Sequence, residues 1–327
     1  MDLSDVLISS DEKCFKKNHF LLYHSDCFNI MENLINHGVK VDLILTDPPY
    51  NTIKGIKLKG WDTKTTEWDT TLDTKTMFEC IEKLLRVNGA CILFSQEPYT
   101  SYLRQYHPYN MVFSYPLYWL KDHFANNLSC NKAPVNYIEN LSVFYKQYDS
   151  EIQHPLRSYA KILLDEMGLS YKSIEKKLGH SKADHFLNRI NSSQFALCTE
   201  ETYEELINVF SIDKFSCFLS YEDLEKINDK YKRTFNKENN YKSNVFKYKR
   251  PYNNFHPTEK PVDLLEDLIL TYSNKGDVVL DFTMGSGSTG VACMNTGRQF
   301  IGIELNEEYY NISKIRLEES TIQRRLL

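Results

Sequence analysis

A chain of 327 residues, 42% hydrophobic and 25% charged, is long enough to bury a substantial core as one large domain or one domain with an insert. No apolar run approaches the roughly 20 residues of a membrane span, and the N-terminus lacks the basic start and apolar centre of a signal peptide, so a cytoplasmic protein without a membrane partner is expected. The net charge of −5 gives no global signal for nucleic acid, and the eight cysteines never fall in a C-x-x-C pair, which predicts buried free thiols and no metal site.

Short β-rich apolar runs ending in turn or polar residues predict strands, and amphipathic stretches between them predict helices. In chain order the reading is strand 19–24, helix 27–37, strand 41–46, helix 76–86 and strand 90–95, then strands 111–120 and 140–146. The alternation stops near Glu151 and resumes near Asn253 with helix 261–272, strand 277–282, helix 288–296 and strand 299–305. Strands alternating with helices predict an α/β fold with a doubly wound, Rossmann-like, largely parallel sheet covered on both faces. The interruption carries polar helical patterns at 158–167, 172–178, 182–188 and 202–210. The expected domains are therefore a first half of the core at 1–150, a helical insert at 151–235, and a basic linker with the second half at 236–327.

The strand VDLILT runs into Asp47-Pro48-Pro49-Tyr50. Two prolines have no N–H to donate, so the ladder stops and the backbone stiffens at a strand's carboxyl end, the edge where open α/β sheets bind ligands. An exocyclic amine of a nucleobase is a poor nucleophile because its lone pair is delocalised into the ring. The Asp47 carboxylate and the Pro48 carbonyl can accept its two N–H bonds and stabilise the positive charge that develops on attack at a methyl donor. Tyr50 can stack on a base removed from a duplex. A tight turn after a strand satisfies the same tetrapeptide.

Near the other end, DVVLDF leads through Thr283-Met284 into Gly285, Gly287 and Gly290, a G-x-G-x-x-G loop before a helix, and Glu304 ends the next strand about 20 residues on. Glycines admit a ligand close to the backbone, and Glu304 can hold the two ribose hydroxyls of an adenosine-containing cofactor. That loop alone does not separate NAD from S-adenosylmethionine. A hydride-transferring oxidoreductase calls for an acid/base that is not evident and leaves Asp-Pro-Pro-Tyr without a role, whereas an amine-methylating centre needs a methyl donor carrying a ribose.

The pair D-P-P-Y and D-F-x-x-G-x-G, in that order, resembles the β-class of amino DNA methyltransferases, over about residues 18–150 and 253–316. The resemblance implies an S-adenosylmethionine-dependent site-specific enzyme acting on a flipped-out base of double-stranded DNA. Asp47, Pro48, Pro49 and Tyr50 would then be catalytic. The segment His256-Pro257-Thr258-Glu259-Lys260-Pro261 resembles the one enclosing the methionine end, which places His256, Thr258 and Lys260 at the cofactor. It likewise assigns Asp281, Phe282 beside the adenine ring, Gly285, Gly287, Glu304 on the ribose, and Asp26 near the adenine; Ser25 stands where the family usually carries glycine. Aspartate before Pro-Pro-Tyr leans towards adenine N6, with cytosine N4 as the alternative. Cytosine C5 chemistry needs a thiolate after proline, and no proline precedes a cysteine here. A non-catalytic DNA-binding regulator is the reading from another class, against which intact Asp47, Tyr50 and Glu304 argue.

Within the insert, residues 168–185 read as helix, Gly179 turn, helix, and resemble a phage-repressor helix-turn-helix whose second helix enters the major groove. Lys182, His185, Asn188 and Arg189, with Asp184, are the candidate DNA contacts of a target-recognition insert. A helical insert that packs or dimerises fits the same pattern. From Lys230 to Arg250 there are eight basic residues against Glu238 alone, interleaved with Tyr231, Tyr241 and Tyr248, which suits a phosphate backbone or a solvated linker. The loop 52–75, with Lys54, Lys57, Lys59 and Lys64 before Lys75, and with Trp61 and Trp68, either closes over the flipped nucleotide or is a surface excursion. A homodimer and a cognate restriction endonuclease are further partners left open.

Overall fold

The computed structural model describes residues 13–17, 19–51, 69–125, 130–147, 154–192, 194–229, 231–237, 240–251, 255 and 258–326. Most of the loop 52–75, including Trp61 and Trp68, and the segment's His256 and Pro257 lie outside the described residues. The elements begin with β1 (Cys14–Lys17), β2 (Phe20–His24), α1 (Cys27–Asn36), β3 (Val41–Thr46), α2 (Thr74–Leu84), β4 (Leu85–Ser95) and α3 (Tyr99–Gln105). They continue with β5 (Met111–Ala125), β6 (Asn136–Lys146), α4 (Pro155–Met167), α5 (Tyr171–Leu178), α6 (Glu200–Phe210) and α7 (Tyr221–Asp229). The chain ends with β7 (Val245–Lys247), α8 (Val262–Tyr272), β8 (Val278–Asp281), α9 (Ser288–Thr296), β9 (Gln299–Glu304) and α10 (Glu307–Leu326). Two units emerge, residues 1–146 with 233–327, and residues 147–232.

In the larger unit nine strands among the described residues form one sheet in the order β1-β2-β9-β8-β3-β4-β6-β5-β7. Its centre, β2 to β4, is parallel throughout, while β6 runs antiparallel to both β4 and β5, and β1 antiparallel to β2. From β3 the chain winds outward to β4, and from β8 it winds the opposite way to β9. The two starting strands lie side by side, pairing Leu43 with Val279 and Ile44 with Leu280. That is the topological switch point of a doubly wound sheet, where a crevice opens beyond the strands' carboxyl ends.

Side-chain alternation assigns each strand residue to one of two cores. Along β4, Cys91 and Leu93 join the core under α1, α2 and α3, whereas Ala90, Ile92 and Phe94 join the core under α8, α9 and α10. Both faces of the sheet are buried, which explains near-continuous apolar runs such as VDLILT. Fully burying a Leu, Ile or Phe side chain stabilises by roughly 1.5–3 kcal/mol, and Leu43, Ile44, Leu45, Ile92 and Leu93 are fully buried.

The structure departs from the sequence reading at several boundaries. The helix expected to reach Arg86 stops at Leu84, and β4 starts at once, because Leu85 pairs with Val41 in the ladder. The strands β1 and β7, of four and three residues, are too short to show a period. The long α10 has only a weak sequence signal: its residues Tyr309, Tyr310, Ser313 and Leu317 turn inward, yet charged residues elsewhere blur the apolar stripe.

The smaller unit has its own core, built on Leu156, Tyr159, Leu163, Ile174, Phe186, Leu187, Tyr203 and Leu206. Helix α5 is capped by Ser170 and ends at Gly179 in the left-handed conformation, as its sequence suggests. The second helix of the expected helix-turn-helix is absent as such: Asp184–Asn188 is a five-residue π-helical turn. Phe186 and Leu187 are drawn into the core and Arg189 N–H closes back onto Asp184, so the segment is one turn rather than a rod able to lie along a groove.

Candidate active site

A cavity of about 440 Å³ opens at the carboxyl ends of β3 and β8. That volume is ample for a nucleoside-sized ligand. Its wall brings together Asp26, Asp47, Pro49, Thr258, Lys260, Asp281, Phe282, Gly285 and Glu304 from five separate stretches of chain. Pro48, Tyr50 and Gly287 are not among its lining residues.

The two motifs are joined through Asp281 at the end of β8. Its carboxylate accepts from Thr46 Oγ1 at 2.7 Å, Thr289 Oγ1 at 2.7 Å and Thr283 N–H at 3.1 Å. Burial nevertheless pushes its pKa upward, with these donors opposing the shift. Asp281 therefore ties the strand bearing Asp47 to the strand bearing the glycine loop. In that loop Gly287 has φ of +82°, and an added Cβ would lie 2.7 Å from Ser313 on α10. Gly290 similarly lets α9 pack against Phe300, which a Cβ would meet at 2.7 Å.

Glu304 ends β9 with one carboxylate oxygen accepting Gly285 N–H at 2.9 Å and the other accepting Asn306 N–H at 2.7 Å. Burial raises its pKa to about 7 against those backbone donors. With Leu305 N–H as a third backbone donor, the carboxylate still has acceptor capacity left for a diol. Asp26 caps α1, its Oδ1 accepting from Phe28 N–H at 2.9 Å, and Phe282 is buried in the wall.

Asp47 follows β3 and is gripped on Oδ2 by the Lys260 ammonium. Its Oδ1 is buried with no hydrogen-bond partner among the described residues. Such an acceptor is costly to bury and marks a place for a donor. Burial raises the Asp47 pKa to about 6, Lys260 pulls it down, and Glu139 pushes it up again. Lys260 also touches Glu139 Oε1 at 3.0 Å and the Thr258 carbonyl at 3.2 Å, while Lys121 binds Glu139 Oε2 at 2.6 Å. The Tyr50 hydroxyl reaches Glu139 at 3.5 Å and its ring rests on Tyr99 with centroids 6.3 Å apart. Burial and the neighbouring Asp47 and Glu139 charges keep that phenol protonated.

Several supporting residues escape a sequence reading. Asp69 accepts the N–H groups of Tyr50 and Asn51 at 3.0 and 2.8 Å, fixing the end of the tetrapeptide where Asn51 takes φ of +60°. Glu259 accepts from Ser288 Oγ at 3.0 Å and pairs with Arg316 of α10 at 2.8 Å. Arg316 also donates to the Ser286 carbonyl at 2.8 Å, closing the glycine loop onto the 258–260 segment. No local motif announces these partners, because each is distant in sequence.

In the insert, Lys182, His185, Asn188 and Arg189 are all exposed. Asn188 and Arg189 both donate to Asp184, at 2.7 and 2.8 Å, His185 bonds the Gln194 carbonyl, and Lys182 lies 3.8 Å from Glu201. They form a local polar cluster rather than a row along a helix.

A sheet with its crevice at the switch point, a glycine loop before a helix, and an acidic strand end at the same edge define an α/β fold of the methyltransferase type. The family described as DNA methylase matches residues 41–315, and the chain belongs to it. The Type II methyltransferase M1.MboII of Moraxella bovis is 24% identical over 306 residues, covering 92% of this chain and 97% of that protein. The DNA adenine methyltransferase YhdJ of Escherichia coli (strain K12) is 51% identical over 63 residues, 19% of this chain. The Type II methyltransferase M2.DpnII of Streptococcus pneumoniae is likewise 51% identical over 63 residues, and these two local matches span 21% and 24% of those proteins. Among solved structures, the M1.HpyAVI–SAM complex superposes with a TM-score of 0.53 at 23% identity, covering 91% of this chain and all of that one. The cytosine-N4-specific PvuII DNA methyltransferase gives 0.50 at 13% identity over 94% of this chain and 92% of that one. At these identities the two structures bear on the fold alone.

Proposed function

We propose that the protein methylates N6 of a flipped-out adenine in double-stranded DNA, using S-adenosylmethionine. The observation that carries this reading is the Asp47 carboxylate in the wall of a cavity that also holds Glu304, its Oδ1 buried and without a hydrogen-bond partner among the described residues. When bound, S-adenosylmethionine supplies an electrophilic sulfonium methyl. The residues present suit it: Glu304 offers lone pairs to the ribose hydroxyls, Phe282 an apolar wall for the adenine, and the glycine loop a close backbone. Asp26 keeps one carboxylate oxygen beside the cavity after capping α1.

Asp47 Oδ1 and the Pro48 carbonyl then accept the two N–H bonds of the target amine. A carboxylate fixed before reaction stabilises developing positive charge on nitrogen without reorganising, and removing such a group typically costs about 10²–10³ in rate. With a pKa near 6, Asp47 is largely ionised at neutral pH, as an acceptor must be. Tyr50, held by Asp69 and Tyr99, offers the extruded base a rigid aromatic neighbour, at about 1–3 kcal/mol per stacked base. Aspartate in the tetrapeptide and the name of the YhdJ relative favour adenine N6 over cytosine N4. The exposed residues of the insert and the basic run Lys230 to Arg250 supply part of the DNA contact.

Nucleoside mass spectrometry of amplified, unmodified genomic DNA treated with protein and isotope-labelled cofactor tests the reading. N6-methyladenine from the wild type, reduced at least about a hundredfold in Asp47→Ala, is expected. N4-methylcytosine would reassign the base, and no methylated base on any DNA would reject the activity.

A further inference from the structure

Resting on the reading of Asp47 as the amine acceptor, we propose that Lys260 and Glu139 form a buried clamp for the target base. Lys260 occupies one carboxylate oxygen of Asp47 and leaves the other to the amine, and Glu139 is the positioning residue that holds both Lys260 and Tyr50.

The hydrogen count supports the clamp. An ammonium has three N–H bonds, and Lys260 Nζ meets three acceptors: Asp47 Oδ2, Glu139 Oε1 at 3.0 Å and the Thr258 carbonyl at 3.2 Å. With these satisfied, no hydrogen is left over for a cofactor carboxylate, although the resemblance sets Lys260 in the segment enclosing the methionine end. Glu139 is similarly committed. Its Oε1 receives Lys260 and the Tyr50 hydroxyl, and its Oε2 receives Lys121 at 2.6 Å.

The clamp crosses the sheet along one edge. Asp47 lies beyond β3, Ser95 at the end of β4 pairs with Asn140 of β6, and Glu139 pairs with Trp119 of β5, two residues before Lys121. The side chains of Lys260, Glu139 and Lys121 are only 8%, 4% and 5% exposed. Asp47, Lys260, Glu139 and Lys121 alternate in sign and sum to zero, so each buried charge meets an opposite neighbour. Buried ion pairs are replaceable by apolar residues at little cost to stability, so three of them, linking four charges beside a cavity with an orphaned acceptor, point to function.

The charges facing Asp47 are Lys260 from the segment before α8, Glu139 from β6, and Asp281 from the end of β8, with the Tyr50 phenol on its own segment. Lys260 lowers the Asp47 pKa and Glu139 raises it. Removing each must therefore move the acid limb of kcat/KM for DNA in opposite directions.

The test uses the full chain with Lys260→Met and Glu139→Gln, and with Lys260→Arg and Glu139→Asp as the milder pair should the first not fold. Calorimetry reads S-adenosylmethionine binding, and methylation of amplified genomic DNA at saturating cofactor reads kcat, KM and the pH profile. We expect cofactor Kd within about threefold of wild type and kcat down about a hundredfold, the usual cost of a misplaced reacting group. The acid limb moves to higher pH in Lys260→Met and to lower pH in Glu139→Gln, and Glu139→Asp recovers part of kcat. Loss of cofactor binding in Lys260→Met matching the loss of turnover overturns the clamp, as does a fall in kcat with the acid limb unmoved in both variants. If the wild type methylates no base, the functional reading fails and takes the clamp with it; if only the variants behave like wild type, the clamp alone fails.

Discussion

The methylase core and the helical insert each carry a short motif that reads clearly in sequence, yet only one motif keeps its expected geometry. In the core, Asp47-Pro48-Pro49-Tyr50 and the glycine loop sit on strands that are neighbours in the sheet, and Asp281 ties them together at 2.7 Å through Thr46. In the insert, the Gly179 turn forms, but the segment after it folds into one π-helical turn that spends Asn188 and Arg189 on Asp184. A local motif specifies a turn. It specifies a site when topology brings a second, independent motif to the same edge.

The comparison can be sharpened in the core first, where the larger effect is expected. Glu304→Gln removes charged acceptors for the ribose hydroxyls and should weaken S-adenosylmethionine binding about 10- to 100-fold, a loss of roughly 1.5–3 kcal/mol, read by calorimetry. Unchanged affinity would remove Glu304 from the cofactor site. The sign of the pH dependence follows from its pKa of about 7, raised by burial. Hydroxyl donors favour the ionised carboxylate, so affinity should rise by up to about tenfold from pH 6 to pH 8 with proton release, and Glu304→Gln should abolish that slope.

In the insert the effect should be smaller. Lys182→Ala with Arg189→Ala deletes two exposed cations that already have acidic neighbours. DNA affinity should fall only a few-fold, with the slope of log K against log salt reduced by about one to two and the methylated base unchanged. A hundredfold loss would restore the insert as the principal reader, and no change at all would leave it as a packing or dimerising unit.

How much was legible follows the same division. The β2, β3, β4, β8 and β9 runs were visible because strands buried on both faces read as continuous apolar blocks bounded by turns. Asp47, Gly285 and Glu304 were visible because strand ends carry their chemistry within a few residues. Lys260 reads in sequence as part of the segment that the resemblance sets at the cofactor, whereas its contacts with Asp47, Glu139 and the Thr258 carbonyl arise only from the fold. Glu139 and Lys121 lie in the middle of strand patterns, and Asp69 lies 19 residues from the amide it accepts. Their roles arise from pairing across the sheet, which no local period encodes.

The account depends most on one carboxylate oxygen awaiting an amine. A crystal structure of the protein with a cofactor analogue and target DNA measures this directly. The account predicts the extruded base's amino nitrogen about 3 Å from Asp47 Oδ1, with Lys260 still on Oδ2. An amino nitrogen bound elsewhere, with Asp47 turned away from the methyl donor, would contradict it.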